Sequence, residues 1–493
     1  MFESRVGSKY NAPHMAYTPT IGLEIHAELK TLTKMFCRCK NESEATEPNV
    51  HICPVCMAHP GTLPVINKEA VRHVLRIGTA VGGHLADFTE FDRKNYFYPD
   101  IPKGYQISQY QYPLISGGAI RGIELTRIHL EEDTARSQHL DSGDSVVDFN
   151  RAGLPLMELV TEPVVPDAES AVAFAKELQL LLRYIDASDA NMEKGQMRVE
   201  ANISVSETKE FGTKVEVKNL NSFKAVERAI AYEIDRQIAL IESGEKVKQE
   251  TRGWDDAKQK TFSQRTKENS EDNRYFPDPD LPKLKLSELD ELSDKTLRAT
   301  LPELPWEKRE RLASQYGIKD EDVEMYVRDE RYGHLFDIVA KSLKEHVATV
   351  RLASNYITSD IAGQVEKGEK GVEEYIFLNE KVDDFAKSFA KLMHMVEKGD
   401  VSSRGAKDVL AIMLEKGGDP ETIAKKEGLV QKSDEGEMRT LAEGIIAEHE
   451  DVANEYKAGK ESALQFLIGQ GMKATKGSAN PQILKKLFET LLQ

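Results

Sequence analysis

The stretch TIGLEIHAELK, residues 20–30, alternates without a break: Ile21, Leu23, Ile25, Ala27 and Leu29 fall on one side, and Gly22, Glu24, His26 and Glu28 on the other. A two-residue period belongs to a β-strand, whose successive side chains point to opposite faces. MRVEANISVSE (197–207) repeats the pattern, setting Met197, Val199, Ala201, Ile203 and Val205 against Arg198, Glu200, Asn202, Ser204 and Ser206. TKVEVKNLNSF (213–223) does so again, with Val215 and Val217 opposite Lys214, Glu216 and Lys218. Each strand therefore has one apolar face and one polar face.

Helical patterns interrupt these strands at AESAVAFAKELQLLLRYI (168–185), where Asp167 after Pro166 is the expected N-cap, and at NSFKAVERAIAYEIDRQIALIESG (221–244), which ends on Gly244. Strands and helices do not alternate regularly, so an α+β domain with a mixed or antiparallel sheet fits better than a doubly wound one. The proline-rich YFPDPDLPKLKLSELDE (275–291) reads as a linker closing this region. Beyond it strand signals stop and helical periodicity takes over, as in DVEMYVRDERYGHLFDIVAKSLKEH (322–346) and EEYIFLNEKVDDFAKSFAKLMHMVEKGD (373–400). Gly417, Gly418, Pro420 and Gly428 punctuate the helices before a last group over 438–475. The expected domains are 1–297, 298–424 and 425–493, in keeping with two or three cores for a chain of 493 residues.

Hydrophobic residues make up 40% of the chain and charged residues 30%, so it is expected to fold. No apolar run approaches the roughly 18–20 residues that cross a bilayer, and the N-terminal segment MFESRVGSKYNAPHMAYTPT has no apolar signal core. A cytoplasmic protein with no membrane partner is expected. The formal net charge of −17 restricts any contact with nucleic acid to local basic patches.

All four cysteines fall within one short span, as Cys37-x-Cys39 and Cys53-x-x-Cys56. Four thiolates at these spacings can close tetrahedrally on zinc, leaving no open position, so such a metal braces a loop and performs no chemistry. A different chemistry is suited to the polar strand faces, which gather Glu24 with His26, Glu200 and Glu216, with Glu131, Glu132 and Asp133 added from HLEEDTARS (129–137), read as a loop. Carboxylates gathered together repel unless a cation joins them, and magnesium takes oxygen ligands from a few carboxylates and from substrate phosphates. Glu24 and His26 stand about 6.6 Å apart on one strand face. Singly, each of these residues reads as a solvated charge; only convergence in space makes them a site. FDRKNYFYPDIPKGYQISQYQYP (91–113) interleaves Arg93, Lys94 and Lys103 with Tyr96, Phe97, Tyr98 and Tyr105. That pattern suits base stacking beside phosphate binding, or equally an aromatic loop packed on the core. No P-loop and no G-x-G-x-x-G fingerprint after a strand is present, and with the cysteines committed to one cluster no cysteine nucleophile is expected.

IGLEIHAELKT, KMFC, FDRKNYFYPDIPKGYQISQY, HLEEDTARS, DFNRAGLPLMELVTEP, ANISV, FGTKVEVKNLNSF, QETRGWD and RYFPDPDLP occur in order along the chain and together resemble the B-subunit family of the aspartyl/glutamyl-tRNA amidotransferases (GatB). AGKESALQFLIGQGMKATKGSANPQ (458–482) resembles that family's tail domain, itself similar to the small YqeY proteins. The resemblance implies a cradle-shaped catalytic domain, an all-helical domain and a small helical tail. It implies a glutamine-hydrolysing carbon–nitrogen ligase acting with two partners, an amidase-type A subunit that releases ammonia and a small C subunit. ATP would phosphorylate the side-chain carboxylate of Glu-tRNA(Gln) or Asp-tRNA(Asn), and ammonia would displace the phosphate. Carried over by motif, the magnesium and phosphotransfer pocket falls on Glu24, His26, Glu132, Glu200 and Glu216, with Lys94 and Arg198 as charge partners for ATP. Glu132 and Glu216 are expected to hold the metal. The family often has aspartate where this chain has Glu200, and its cysteine quartet is present in some members and absent in others, as suits structural zinc. The tail is expected to hold tRNA, with Lys473, Lys476, Lys485 and Lys486 as local positive charge and Asn480 capping a last helix that starts at Pro481. The competing reading is a non-catalytic, zinc-containing tRNA-binding scaffold, for which glutamates gathered on strand faces have no use.

Overall fold

The computed structural model describes residues 17–208, 210–266, 274–344, 346–367, 376–377, 382–431, 435–475 and 479–492. The first sixteen residues, Lys476, and residues 373–375 and 378–381 of the second helical stretch lie outside the described residues. The chain divides into two compact units between Leu304 and Pro305.

The first unit is built on one ten-stranded sheet. Its central strand β1 (Thr18–Glu28) is the alternating stretch that opens the sequence. Ile21, Leu23, Ile25 and Ala27 are completely buried. Outside this sheet, β2 (Asp92–Asn95) and β3 (Tyr105–Ser108) form a hairpin. The sheet continues with β4 (Ile123–Glu132), β5 (Pro155–Thr161), β6 (Met197–Ser206), β7 (Val215–Leu220), β8 (Glu250–Asp255) and β9 (Lys260–Thr266). The order runs β9-β8-β7-β6-β1-β5-β4 and on to two short strands at Ile115–Ser116 and His84–Leu85, with a tenth, Ala119–Ile120, pairing with β4 off this path. Only β7 and β8 run parallel along this path; the other described neighbours are antiparallel, so the sheet is mixed.

Helix α1 (Lys68–Ala80) is capped by Asn67, α2 (Ala168–Tyr184) by Asp167, whose carboxylate accepts from Ser170 N, and α3 (Phe223–Glu242) by Ser222. α3 packs against α2 and β6, closing the apolar side. The left-handed Gly244 lies just beyond α3, as C-terminal caps favour.

Two expectations are corrected. HLEE is not a loop but the end of β4, because its backbone pairs residue by residue with β5 from Glu132↔Pro155 to His129↔Glu158. The proline-rich stretch is not a free linker: Phe276–Pro277 pairs with β2, Leu284–Lys285 pairs with Phe88–Thr89, and Leu281, Leu286 and Leu292 are buried. Prolines suit such short edge pairings, which need few backbone donors.

Among its described residues the regular elements of the second unit are helices, with isolated bridge positions at Val401, Val430 and Ala479. Among its helices are α4 (Asp320–Arg328), α5 (Glu330–Ser342) and α6 (Val382–Lys398), whose buried Tyr326, Phe336 and Phe389 belong to its core. Residue 424 falls inside α7 (Pro420–Lys426). A separate core forms where α8 (Glu435–Glu448), α9 (Glu450–Lys457), α10 (Glu461–Ala474) and α11 (Pro481–Leu492) bury Met438, Leu467, Leu484 and Phe488. Asn480 caps α11 through Gln482 N, and Pro481 occupies its first position. No helix among the described residues is long and apolar enough to cross a membrane.

Candidate active site

The register of the sheet decides which polar side chains meet. Across β6, β1, β5 and β4 one row reads Arg198, His26, Glu158, His129. The next row sets Glu200 beside Glu24, and Asn202 lies opposite Glu216 on β7. Directly paired residues on one face have Cβ atoms about 4.5–5.5 Å apart, so these groups must interact.

Two clusters result. In the first, Glu24, Glu200 and Glu216 bring carboxylate oxygens within 4.8 Å of one another. Lys218 Nζ lies 2.7 Å from Glu200 and 3.6 Å from Glu216, Thr251 donates to Glu216 at 2.8 Å, and Asn202 donates to Glu24 at 2.7 Å. Burial, then the negative charges of Glu158, Glu200 and Glu216, raise the pKa of Glu24. Burial works against the charge of Lys218, yet Glu200 and Glu216 outweigh it and raise its pKa.

In the second cluster His26 Nε2 stands 3.3 Å from Glu131 and 3.4 Å from Glu158, all within the same 4.8 Å limit. Burial opposes a charge on His26, but hydrogen bonds to both carboxylates hold its pKa well above the ordinary range. Burial would raise Glu158; the charge and hydrogen bond of His129, then those of His26, carry it well below instead. Lys94 on β2 is half-buried and stays an ammonium, because desolvation is outweighed by the charges of its neighbours, Glu131 first among them and Glu158 also.

Of the carried-over residues, Glu24, Glu200 and Glu216 converge, while His26 and Lys94 join the second group. Glu132 belongs to neither. It follows Glu131 on the strand and so faces the other way, accepting from Ile107 N at 2.9 Å and pairing with Lys103. Arg198 lies beside His26 in register but its guanidinium goes to Asp133 at 3.0 Å, where Arg151 also binds. Glu158, His129 and the bridging role of Lys218 were not anticipated. A lone carboxylate in the apolar run PLMELVT was the available signal for Glu158. For Glu131 over Glu132 it was the alternation of Ile128 and Leu130 against His129 and Glu131.

The first cluster fits a hard cation. Its donors are carboxylates, and the buried Asn202 Oδ1 has no hydrogen-bond donor among the described residues. The cysteine cluster fits a soft one. The four sulfurs lie within 4.8 Å of one another, and Cys53 Sγ and Cys56 Sγ are 3.8 Å apart. That matches the edge, about 3.8 Å, of a tetrahedron with Zn–S arms of about 2.3 Å. Hydrogen bonding from Cys37, offset by burial and reinforced by Lys34, brings Cys56 down to about 5, while burial pushes Cys39 up to about 12. Lys34 is almost wholly buried, donating to Ala152 O at 2.8 Å and Phe149 O at 3.1 Å. It ties the cysteine loop to the segment from which Arg151 reaches Glu28 and Asp133 on the polar face.

The chain matches the GatB/GatE catalytic domain family over residues 19–290, a range that contains both acidic clusters and all four cysteines, and the GatB domain family over residues 335–492. It is 41% identical to the B subunit of the aspartyl/glutamyl-tRNA(Asn/Gln) amidotransferase of Persephonella marina, covering 97% of this chain and 100% of the relative. This chain belongs to that B-subunit family. The corresponding protein of Caldanaerobacter subterraneus is 42% identical over 96% of this chain and 99% of the relative. For Gloeothece citriformis the values are 38%, 97% and 98%. The GatB match thus extends through both compact units.

Proposed function

We propose that this chain is the phosphotransfer and amidation subunit of a glutamine-hydrolysing, tRNA-dependent amidotransferase. The observation that carries the reading is the pair of adjoining acidic clusters on one sheet face, each accompanied by a half-buried lysine held charged. A polar face built only to bind RNA gains nothing from glutamates forced together.

Glu24, Glu200 and Glu216 would hold one magnesium ion, and His26, Glu131 and Glu158 a second divalent ion. Bound there, magnesium supplies charge neutralisation for the phosphate oxygens of ATP during transfer. Lys94 and Lys218 supply cations to the same oxygens and need no proton change to do so. An oxygen of the glutamate or aspartate side chain carried on the tRNA attacks the γ-phosphorus, breaking its bond to ADP and forming an acyl phosphate. Ammonia from the amidase-type partner attacks the acyl carbon, phosphate leaves with the C–O bonding pair, and the surplus ammonium proton passes to a carboxylate of the site or to water. Structural zinc on Cys37, Cys39, Cys53 and Cys56 braces the loop behind Arg151. The tail helices α8–α11 would contact the tRNA body, with Lys473, Lys485 and Lys486 exposed on α10 and α11. A third, small partner protein and a cytoplasmic setting complete this reading.

The test is ATP cleavage by the full chain with magnesium and excess ammonia. Cleavage is expected with Glu-tRNA(Gln) or Asp-tRNA(Asn) and not with uncharged tRNA, together with formation of the amidated aminoacyl-tRNA. No cleavage by this chain, either alone or with the amidase-type partner, would leave the scaffold reading.

A further inference from the structure

His129 is 2% exposed and sits on β4 directly opposite Glu158, with its Nε2 3.3 Å from Glu158 Oε2. The same carboxylate oxygen faces His26 Nε2 at 3.4 Å, while among the described residues the ion-pair partner of Oε1 is Arg127, 3.9 Å away. Two imidazoles thus approach one oxygen from opposite sides, but they are not equivalent. His26 also reaches Glu131 and so belongs to the candidate ligand set. His129 is outside that set, and its Nδ1 is buried with no hydrogen-bond partner among the described residues.

When the Nε2 lone pair of His26 is given to a metal, its bond to Glu158 is lost. A carboxylate ligand then keeps its orientation only if another donor holds it, since ligating carboxylates depend on their outer hydrogen bonds. We infer that His129 is a positioning residue for the second divalent site: its Nε2–H anchors Glu158 Oε2, leaving Oε1 to face the ion beside His26 and Glu131. The inference rests on the metal reading above and adds a residue that the metal does not touch. The orphaned Nδ1 is consistent with this role, because a ring whose one hydrogen bond goes to a ligand has been placed for that ligand.

The experiment is manganese binding to the full-length chain, followed by the electron paramagnetic resonance of bound Mn2+ and by calorimetry, for wild type, Glu158→Gln, His129→Leu and His129→Gln. Glutamine can place an amide N–H where the imidazole Nε2–H was; leucine cannot. His129→Leu is expected to weaken one of two manganese sites by about 10–100-fold. His129→Gln should bind close to wild type, with circular dichroism unchanged in both. If wild type binds no manganese, or Glu158→Gln binds as wild type does, the metal reading itself fails. If Glu158→Gln weakens binding but His129→Leu does not, the positioning role is overturned with the metal site intact. Equal loss in the leucine and glutamine variants overturns it too, because shape rather than the donor would then matter.

Discussion

Replacing Lys218 by methionine removes the ammonium that stands between Glu200 and Glu216 while keeping most of the side-chain volume. Three carboxylates whose oxygens lie within 4.8 Å are then left without their bridging cation. Two unit charges at that spacing repel by roughly 3–4 kcal/mol at an effective dielectric near 20. Breaking a buried pair from one side costs about 3–5 kcal/mol, and the Lys218 side chain is 31% exposed, which favours the lower end of that range. Protonation of Glu24, whose pKa is already raised by burial and by its neighbours, recovers part of the loss. The expected destabilisation is therefore about 2–3 kcal/mol near neutral pH. The sign of the pH effect follows from Glu24. An acid whose folded pKa lies above its unfolded value costs no stability below the unfolded value, here 4.5, and its full cost appears above the folded pKa. The gap between variant and wild type should shrink as the pH falls toward 4.5. Denaturant unfolding of the full chain, following the transition of the sheet-containing unit with and without millimolar magnesium, is the assay. Magnesium should stabilise the variant more than wild type, since in the variant the ion meets no resident ammonium. Equal midpoints for the two proteins near neutral pH, or equal magnesium increments, would refute the reasoning.

Glu131→Gln should lower amide formation by at least about a hundredfold while tRNA binding, measured by filter retention, stays unchanged. Glu132→Gln should act instead through its Lys103 partner, lowering the melting temperature more than it lowers metal affinity. The His26 pKa is raised well above 6.5 in the folded protein, so its stabilisation is complete below 6.5 and lost as the pH rises through the folded value. Metal-free wild type should lose stability over that alkaline interval, and His26→Gln should flatten the curve measured by thermal unfolding. Removing zinc with a chelator should make four thiols per chain titratable where fewer reacted before, and Cys56→Ser should release the metal without chelator.

The fold was legible where side chains alternate strictly. β1, β6 and β7 lie where their sequences place them, because each has one face that can only be buried. The sequence of β5 half conceals its role: PLMELVT is apolar except for Glu158 and Thr161, so it has the composition of a core segment, and the lone carboxylate is its one sign of which face meets the polar row. Glu131 and Glu132 illustrate a second limit. Adjacent glutamates in a motif are chemically alike, and only strand parity separates the one facing His26 from the one bonded to Lys103. Lys218 lay on the polar face in plain view, but which carboxylates it bridges depends on the β6–β7 register, a pairing between segments that no single segment encodes.

β1 carries one further implication, for how the chain reaches its native state. Sliding this strand by one residue along either neighbour would turn Glu24, His26 and Glu28 toward the space filled by Ile21, Leu23, Ile25 and Ala27. Burying even one of those charges without its partner costs several kcal/mol, comparable to the net stability of a domain. The site thus acts as a proofreader of the sheet: a one-residue slip of the central strand is disfavoured by the same groups that would serve chemistry, and a variant stripped of them should tolerate that slip better than the native chain does.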